Sequence, residues 1–296
     1  MKTTSLLSAL VLSTALVSCS SGDTSTTPET STPETTTPST STGTTSTVTP
    51  SADPISGTLT MGGSTSVAEV IGGMMEIYMA ENDGVDITYA PTGSSTGVQG
   101  AIDGTLDLGL SSRVLKDAEK ETVDEVVFAL DGIAVVVNTE NSITDISMSD
   151  LVAIFNGEIT DWSEVGGTAG EIVTIGRDSA SGTRDGFESI LGISDVVYTE
   201  EYSATGAVIG GVSATPGAIG YISLSAADDK VTTLSIDGVV PSADTVVDGS
   251  YSLQRPFVFA VNAANLSPVA ESFLNWATSG EADELILHAG VIPPVA

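Results

Sequence analysis

Over residues 126–137 the chain is apolar at every position except Asp131 and Gly132. A run so continuous and so rich in Val suits a parallel strand with both faces covered. Double coverage demands helices on both sides of a sheet, and the flanking sequence supplies them. Residues 57–61 read as a strand, after which Val67, Val70, Ile71, Met74, Ile77 and Tyr78 recur at helical spacing to about Ala80. Residues 85–89 read as a second strand, 93–97 as a turn, 98–102 as a short helix and 106–110 as a third strand. The middle of the chain repeats the alternation, with helices near 149–155 and 181–191 and a strand at 172–175. Strands at 218–223 and 257–261 and helices at 269–277 and 283–288 complete it. The expected fold is α/β, with two lobes joined by crossing strands near 132–137 and 255–259. A ligand cleft lies between them. Lobe I takes residues 55–136 and 256–296, and lobe II residues 137–255.

Small hydroxylated turns stand where these strands end. Gly62-Gly63-Ser64-Thr65-Ser66 precedes the first helix, Gly93-Ser94-Ser95-Thr96-Gly97 the second, and Ser111-Ser112-Arg113 follows the third strand. In an open α/β sheet such positions share one rim, so hydroxyls and helix N-termini converge there. The turn from Gly176 to Arg184 is the richest, holding Arg177 and Arg184 around Ser181, Gly182 and Thr183. A helix start leaves N–H groups unpaired, its dipole favours negative charge, and small residues let an oxyanion come close. Each turn alone is equally an N-cap with no ligand. Together they describe an anion cradle.

The formal charge of −31 excludes ordinary electrostatic binding to nucleic acid or anionic lipid. Only Arg113, Arg177, Arg184 and Arg255 supply guanidinium groups. A single Cys rules out an internal disulfide, so the core holds itself together. One His and one Cys cannot make a nitrogen–sulfur metal site, and the carboxylates lack calcium-loop spacing. No metal and no cofactor are expected, and the Gly-rich turns lack the Gly-Lys-Ser/Thr of a nucleotide loop. The acidity itself suits a cell living in salty water, where the screening length falls to about 3 Å at 1 M salt. Neutral drift in charge is the alternative.

The first residues read as an export signal: Lys2, an apolar run over 6–17, then Leu16-Val17-Ser18-Cys19. That ending resembles the lipobox of bacterial lipoproteins, in which cleavage after residue 18 exposes the Cys for lipid such as palmitate. An ordinary cleaved signal with an incidental Cys is the alternative. Residues 19–54 are Thr, Ser and Pro with acidic residues and little to bury, hence a disordered tether. Fully extended, it reaches about 100 Å at roughly 3.1 Å per residue.

The chain resembles the PstS family, the phosphate-binding lipoproteins that serve the bacterial phosphate ABC transporter. The resemblance runs from about Gly57 to the C-terminus, and Arg177 followed by Ser181-Gly182-Thr183 is its most specific element. Supporting it are Thr65, Ser66, Ser94, Leu108-Gly109-Leu110-Ser111-Ser112-Arg113, Ala129-Leu130-Asp131-Gly132-Ile133-Ala134, the segment 154–162, and Arg255-Pro256. The resemblance implies a type II periplasmic-binding-protein-like fold whose lobes close on one dehydrated phosphate. It also implies a lipid-anchored monomer on the outer face of the cell membrane that delivers phosphate to an ABC permease and does no covalent chemistry.

The implied donors are Thr65, Ser66, Ser94, Ser112, Arg177, Ser181, Gly182 and Thr183. A carboxylate accepts the proton that phosphate carries and sulfate lacks. One branch of the family has an Asp at the position of Ser112, so here the acceptor is another group. Asp131, interrupting an apolar strand, is the candidate. Equally it caps a turn or pairs with Arg113. Asp178 either orients Arg177 or is a solvated carboxylate, and Arg184 either joins the cradle or is exposed.

Sulfate and molybdate are rival ligands. The rival activity is a serine hydrolase, because Gly93-Ser94-Ser95-Thr96-Gly97 also fits a nucleophile elbow, with Ser95 and His288 in the order of that class. His288 sits among Leu285, Ile286, Leu287 and Ala289 on a terminal helix, which suits a core or surface histidine better.

Overall fold

The structure, a computed structural model, describes residues 54–294. The expected leader, Cys19 and all of the tether except Pro54 lie outside the described residues. The chain begins with β1 (Ser56–Gly63), α1 (Ala68–Glu81), β2 (Gly84–Ala90), α2 (Ser94–Ile102) and β3 (Leu108–Ser111). One turn, α3 (Asp117–Lys120), leads into the long β4 (Asp124–Asn138). There follow β5 (Asp145–Ile146), α4 (Met148–Phe155), β6 (Val173–Arg177), α5 (Gly182–Leu191), β7 (Glu200–Tyr202) and α6 (Thr205–Ala214). The rest is β8 (Ala218–Ser223), β9 (Val231–Thr233), β10 (Ser235–Ile236), α7 (Ala243–Val247), β11 (Gln254–Val261), α8 (Pro268–Thr278) and α9 (Asp283–His288).

The main sheet runs β2-β1-β3-β11-β4-β8-β6-β7, with β9 added beside β4. Its ends are parallel: β1 pairs in parallel with β2 and β3, and β6 with β7 and β8. Its centre is antiparallel. β4 faces β11 through Gly132, then β8 from Ile133 onward, so one strand changes partner within a single step.

The central run is therefore not the parallel strand its sequence suggests. What its apolarity reports is cover on both faces, and that it has. Ile133, Val135 and Val137 pack into a core with Leu151, Phe155, Phe187, Tyr221 and Tyr251. Ala134 and Val136 point the other way, into a core with Ile175, Val208, Val212 and Ile222. A separate core gathers Leu59, Met61, Ile71, Met74, Phe128, Phe259 and Phe273 between β1, β4, β11 and the helices α1 and α8. Alternation of side chains along a strand sends neighbouring residues to opposite layers, so a strand between two helical layers has no wet face to keep polar.

Helix starts follow local chemistry. Ser181 caps α5 by accepting from Arg184 N at 3.3 Å, and Ser267 caps α8 with Pro268 in its first turn. Gly192 ends α5 in a left-handed conformation. α2 begins at Ser94, earlier than expected. Gly93 to Gly97 reads as a turn by composition, yet Gly97 N donates to Gly93 O at 3.0 Å and continues into the helix. Packing of α2 on β1 and β3 overrides weak propensity there.

Candidate functional site

The four hydroxylated turns meet. Ser64 Oγ donates to Ser112 Oγ at 2.8 Å, and Ser112 N donates to Ser94 Oγ at 3.1 Å. Ser66 Oγ lies 2.8 Å from Thr183 Oγ1, bringing α5 against the turn that opens α1. Ser95 N donates to Ala180 O at 3.1 Å, so the first turn of α2 is tied to the turn that precedes α5 as well. Gly182 is required where it stands, because a Cβ there would lie 2.8 Å from Ser112 Oγ and collide with Ser94 Oγ. Its backbone thus reaches the hydroxyls directly.

Arg177 ends β6 in the middle of this web. It is the bulkiest of the fully buried side chains among the described residues, with 1% of its surface exposed. Nε donates to Tyr202 O at 3.1 Å and Nη2 to Ser203 O at 2.9 Å. Nη2 also reaches Thr65 Oγ1 at 3.0 Å, and Nη1 reaches Thr205 Oγ1 at 3.3 Å. All these acceptors are neutral. Among the described residues, Arg113, Arg184, Arg255 and three lysines have carboxylate partners, and Arg177 has none. Burial lowers its pKa to about 10, opposed by the charge of Asp178 through space. A guanidinium so placed is still charged at neutral pH, and no carboxylate among the described residues bonds to it. An Nη1 N–H remains to offer.

Of the residues expected at the site, Thr65, Ser66, Ser94, Ser112, Arg177, Gly182 and Thr183 share this web. Ser181 stands at its edge as the cap of α5, its hydroxyl oxygen accepting while its proton stays available. Asp131 lies elsewhere in the arrangement. It is 1% exposed, and its Oδ2 accepts from Arg255 Nη2 at 2.8 Å, Arg255 Nε at 3.1 Å and Ser223 Oγ at 2.7 Å. Its Oδ1 is buried without a partner. Burial raises the Asp131 pKa against the downward pull of Arg255. Arg255 in turn donates from Nη1 to Ser112 O at 3.3 Å, so one guanidinium bonds both to Asp131 and to the web.

Other expectations are corrected. Asp131 does not pair with Arg113, which is taken by Glu119 at 2.8 Å and Asp185 at 2.8 Å. Asp178 is neither solvated freely nor bonded to the guanidinium. Its Oδ1 accepts from Ala180 N at 3.2 Å and closes the turn. Arg184 is not exposed but partly buried, with Nη1 donating to the Arg177 carbonyl at 2.9 Å. Ser95 and His288 share no hydrogen bond among the described residues. His288 lines a surface groove with Glu69, Ile77 and Trp276, and Ser95 is not among its walls.

Thr205 is the site residue that sequence reasoning missed. It opens α6, is 5% exposed, and lies 3.2 Å from Thr65 Oγ1 and 3.3 Å from Ser66 Oγ. Ser203-Ala204-Thr205-Gly206 repeats the small hydroxylated composition of the other turns. The strand before it, Glu200–Tyr202, is three residues long and begins with two acids, so no strand end was visible there.

Known proteins are similar to this chain in sequence and in fold. A PBP superfamily domain matches residues 36–281. The phosphate-binding protein PstS of Bacillus subtilis (strain 168) is 35% identical over 252 residues, covering 80% of this chain and 81% of that protein. PstS of Borreliella burgdorferi is 29% identical over 249 residues, 79% of this chain and 89% of that one. In the crystal structure of a phosphate ABC transporter substrate-binding protein with bound phosphate from Clostridium perfringens, the identity is 32% and the TM-score 0.79. The match takes in 81% of this chain and all of that one. An ABC-type phosphate transport receptor from Vibrio cholerae gives 30% and 0.69, over 80% of this chain and all of the receptor.

Proposed function

The chain belongs to the PstS phosphate-binding proteins of the PBP superfamily, and from that premise we propose that it captures inorganic phosphate at Arg177 and hands it to an ABC permease. The observation that carries this reading is a buried guanidinium surrounded by hydroxyls and free of any carboxylate. A cation taken out of water without a counter-ion is costly, and a bound oxyanion removes that cost. Thr65, Ser66, Ser94, Ser112, Ser181 and Thr183 donate hydroxyl protons, Gly182 donates a backbone N–H at the start of α5, and Thr205 joins them. The relatives are transport receptors and not enzymes, and the Ser95–His288 alternative has no geometry in its favour.

Asp131 is our acceptor for the proton on phosphate. Its support is the buried Oδ1 without a partner, while Oδ2 is held by Arg255 and Ser223. Sulfate carries no proton to give it. We assign residues 55–136 with 256–296 and residues 137–255 to two bodies that close on the ligand. We further assign Cys19 as the lipid anchor, 19–54 as the tether, and the monomer at the outer face of the membrane as the working state.

Titration calorimetry of the purified protein with phosphate, sulfate, arsenate and molybdate tests the reading. Phosphate and arsenate should bind and the other two should not. Tighter binding of sulfate or molybdate would replace phosphate as the ligand. An Asp131→Asn variant should narrow the preference for phosphate over sulfate, and unchanged selectivity removes Asp131 from the site.

A further inference from the structure

Behind the anion cradle, the backbone of Arg177 is gripped from both sides. Its N–H donates to Tyr221 Oη at 3.2 Å, and its carbonyl accepts from Arg184 Nη1 at 2.9 Å. Neither contact is made by the guanidinium. The two grips are themselves joined. Tyr221 Oη donates to Tyr198 Oη at 3.1 Å, Tyr198 Oη donates to Glu188 Oε1 at 3.0 Å, and the same Oε1 accepts from Arg184 Nε at 2.8 Å. The bonds therefore form a closed ring that begins and ends on one residue, at the N–H and the carbonyl of Arg177. Each hydroxyl accepts from the residue before it and donates to the next, so no proton is left over.

The ring is also packed rigidly. Phe187 stacks on Tyr221 at 4.1 Å with the planes 14° apart, and the Arg184 guanidinium lies 4.9 Å from the centre of the Tyr198 ring. Glu201 gives Arg184 a second carboxylate. Gly176 makes room, since a Cβ there would collide with the Tyr198 ring. The helix α5 connects the two functions. Its first turn carries Gly182 and Thr183 on the cradle side, and Arg184, Phe187 and Glu188 then turn to the ring.

We propose that Tyr221, Tyr198, Glu188 and Arg184 are positioning residues whose ring holds the Arg177 backbone so that its guanidinium is aimed at the ligand before the ligand arrives. The role rests on the phosphate-binding reading above. Preorganisation of this kind raises affinity by removing an ordering cost from the binding step, without any contact to the ligand. A hydrogen-bonded ring in a low-dielectric interior also stiffens cooperatively, so breaking one member loosens all.

Tyr221→Phe tests this with the least disturbance, because it keeps the stacked ring and deletes only the hydroxyl. Phosphate affinity is measured by calorimetry in four full-length proteins: wild type, Tyr221→Phe, Arg177→Ala, and the pair together. Loss of one positioning bond should weaken phosphate binding about five- to tenfold when Arg177 is present. The same change should cost about twofold or less in the Arg177→Ala background, where no guanidinium remains to be aimed. The thermal midpoint should fall equally in both backgrounds, which separates aim from stability. Equal fold-losses of affinity in the two backgrounds would overturn the positioning role, as would an unchanged Tyr221→Phe. Arg184→Lys, which can still donate to the Arg177 carbonyl, should retain more affinity than Arg184→Met, which has no donor, and the reverse order also overturns it. A wild-type chain that takes up no phosphate defeats the binding reading and this role with it. A tight-binding wild type beside an indifferent Tyr221→Phe defeats this role alone.

Discussion

Arg177 and Arg255 are buried to almost the same degree, at 1% and 4% exposed, and their surroundings differ in one respect. Arg255 has a carboxylate: Asp131 accepts two of its N–H groups, and the pair lies across the β4–β11 ladder where Arg255 is in register with Asp131. Arg177 has carbonyls and hydroxyls only. A cation compensated within the fold is finished and has nothing left to recruit. A cation left uncompensated stores an unfavourable desolvation that an anion from outside relieves. Sign for sign the two arginines are alike, and on the proposed reading the presence of one carboxylate separates a fold element from a receptor.

The sharpest way to break this comparison is to strip each arginine of what the other lacks. Asp131→Ala leaves Arg255 buried and unpaired, and should lower unfolding free energy by about 3–5 kcal/mol in urea melts. Arg177→Met should behave in the opposite sense. It should weaken phosphate binding by about 2–5 kcal/mol in calorimetry while the ligand-free protein keeps or gains stability, because a lone buried charge is gone. If the ligand-free protein instead loses as much as the Asp131→Ala variant, the two arginines are not different in kind. Saturating phosphate sharpens the contrast. At a hundred times the wild-type dissociation constant it should stabilise wild type by about 2.7 kcal/mol, read as a rise in the thermal midpoint, and stabilise Arg177→Met by at most about 0.9 kcal/mol. The smallest effect is expected for Thr205→Val, which removes one neutral partner of Arg177. About 0.5–1.5 kcal/mol of affinity should go, with little change in the melt.

The sequence made the cradle legible and the ion pair illegible, for one physical reason. Cradle residues advertise themselves locally: Ser181-Gly182-Thr183 and Thr65-Ser66 are small and hydroxylated where an apolar run stops, and the recurrence of that composition at several strand ends is more than helix capping alone requires. The partner of Asp131 is set by strand register, and Arg255 lies 124 positions away on β11. Nothing near Asp131 announces that register, and Arg113 was the nearer arginine in sequence. Direction was illegible for the same cause. The 126–137 run showed that both faces of β4 are covered, but whether its neighbours run parallel or antiparallel leaves no mark on a strand that has no wet face. Arg184 was obscured differently: on the sequence it is one charged residue in a helix's first turn with Glu188 four residues on, and only the tertiary fold sets Tyr198 and Tyr221 beside that pair.

The serine and threonine hydroxyls that close on one another around Arg177 have a consequence for traffic through the pocket. Each is a rotor: a turn about a single bond converts donor into acceptor. With no anion present, Ser66 satisfies Thr183 and Ser64 satisfies Ser112. On the proposed reading, an incoming anion needs only to redirect those protons toward itself, and a departing one lets them swing back. Arrival and departure therefore strand none of these four hydroxyls, which lets such a pocket hold firmly and still let go.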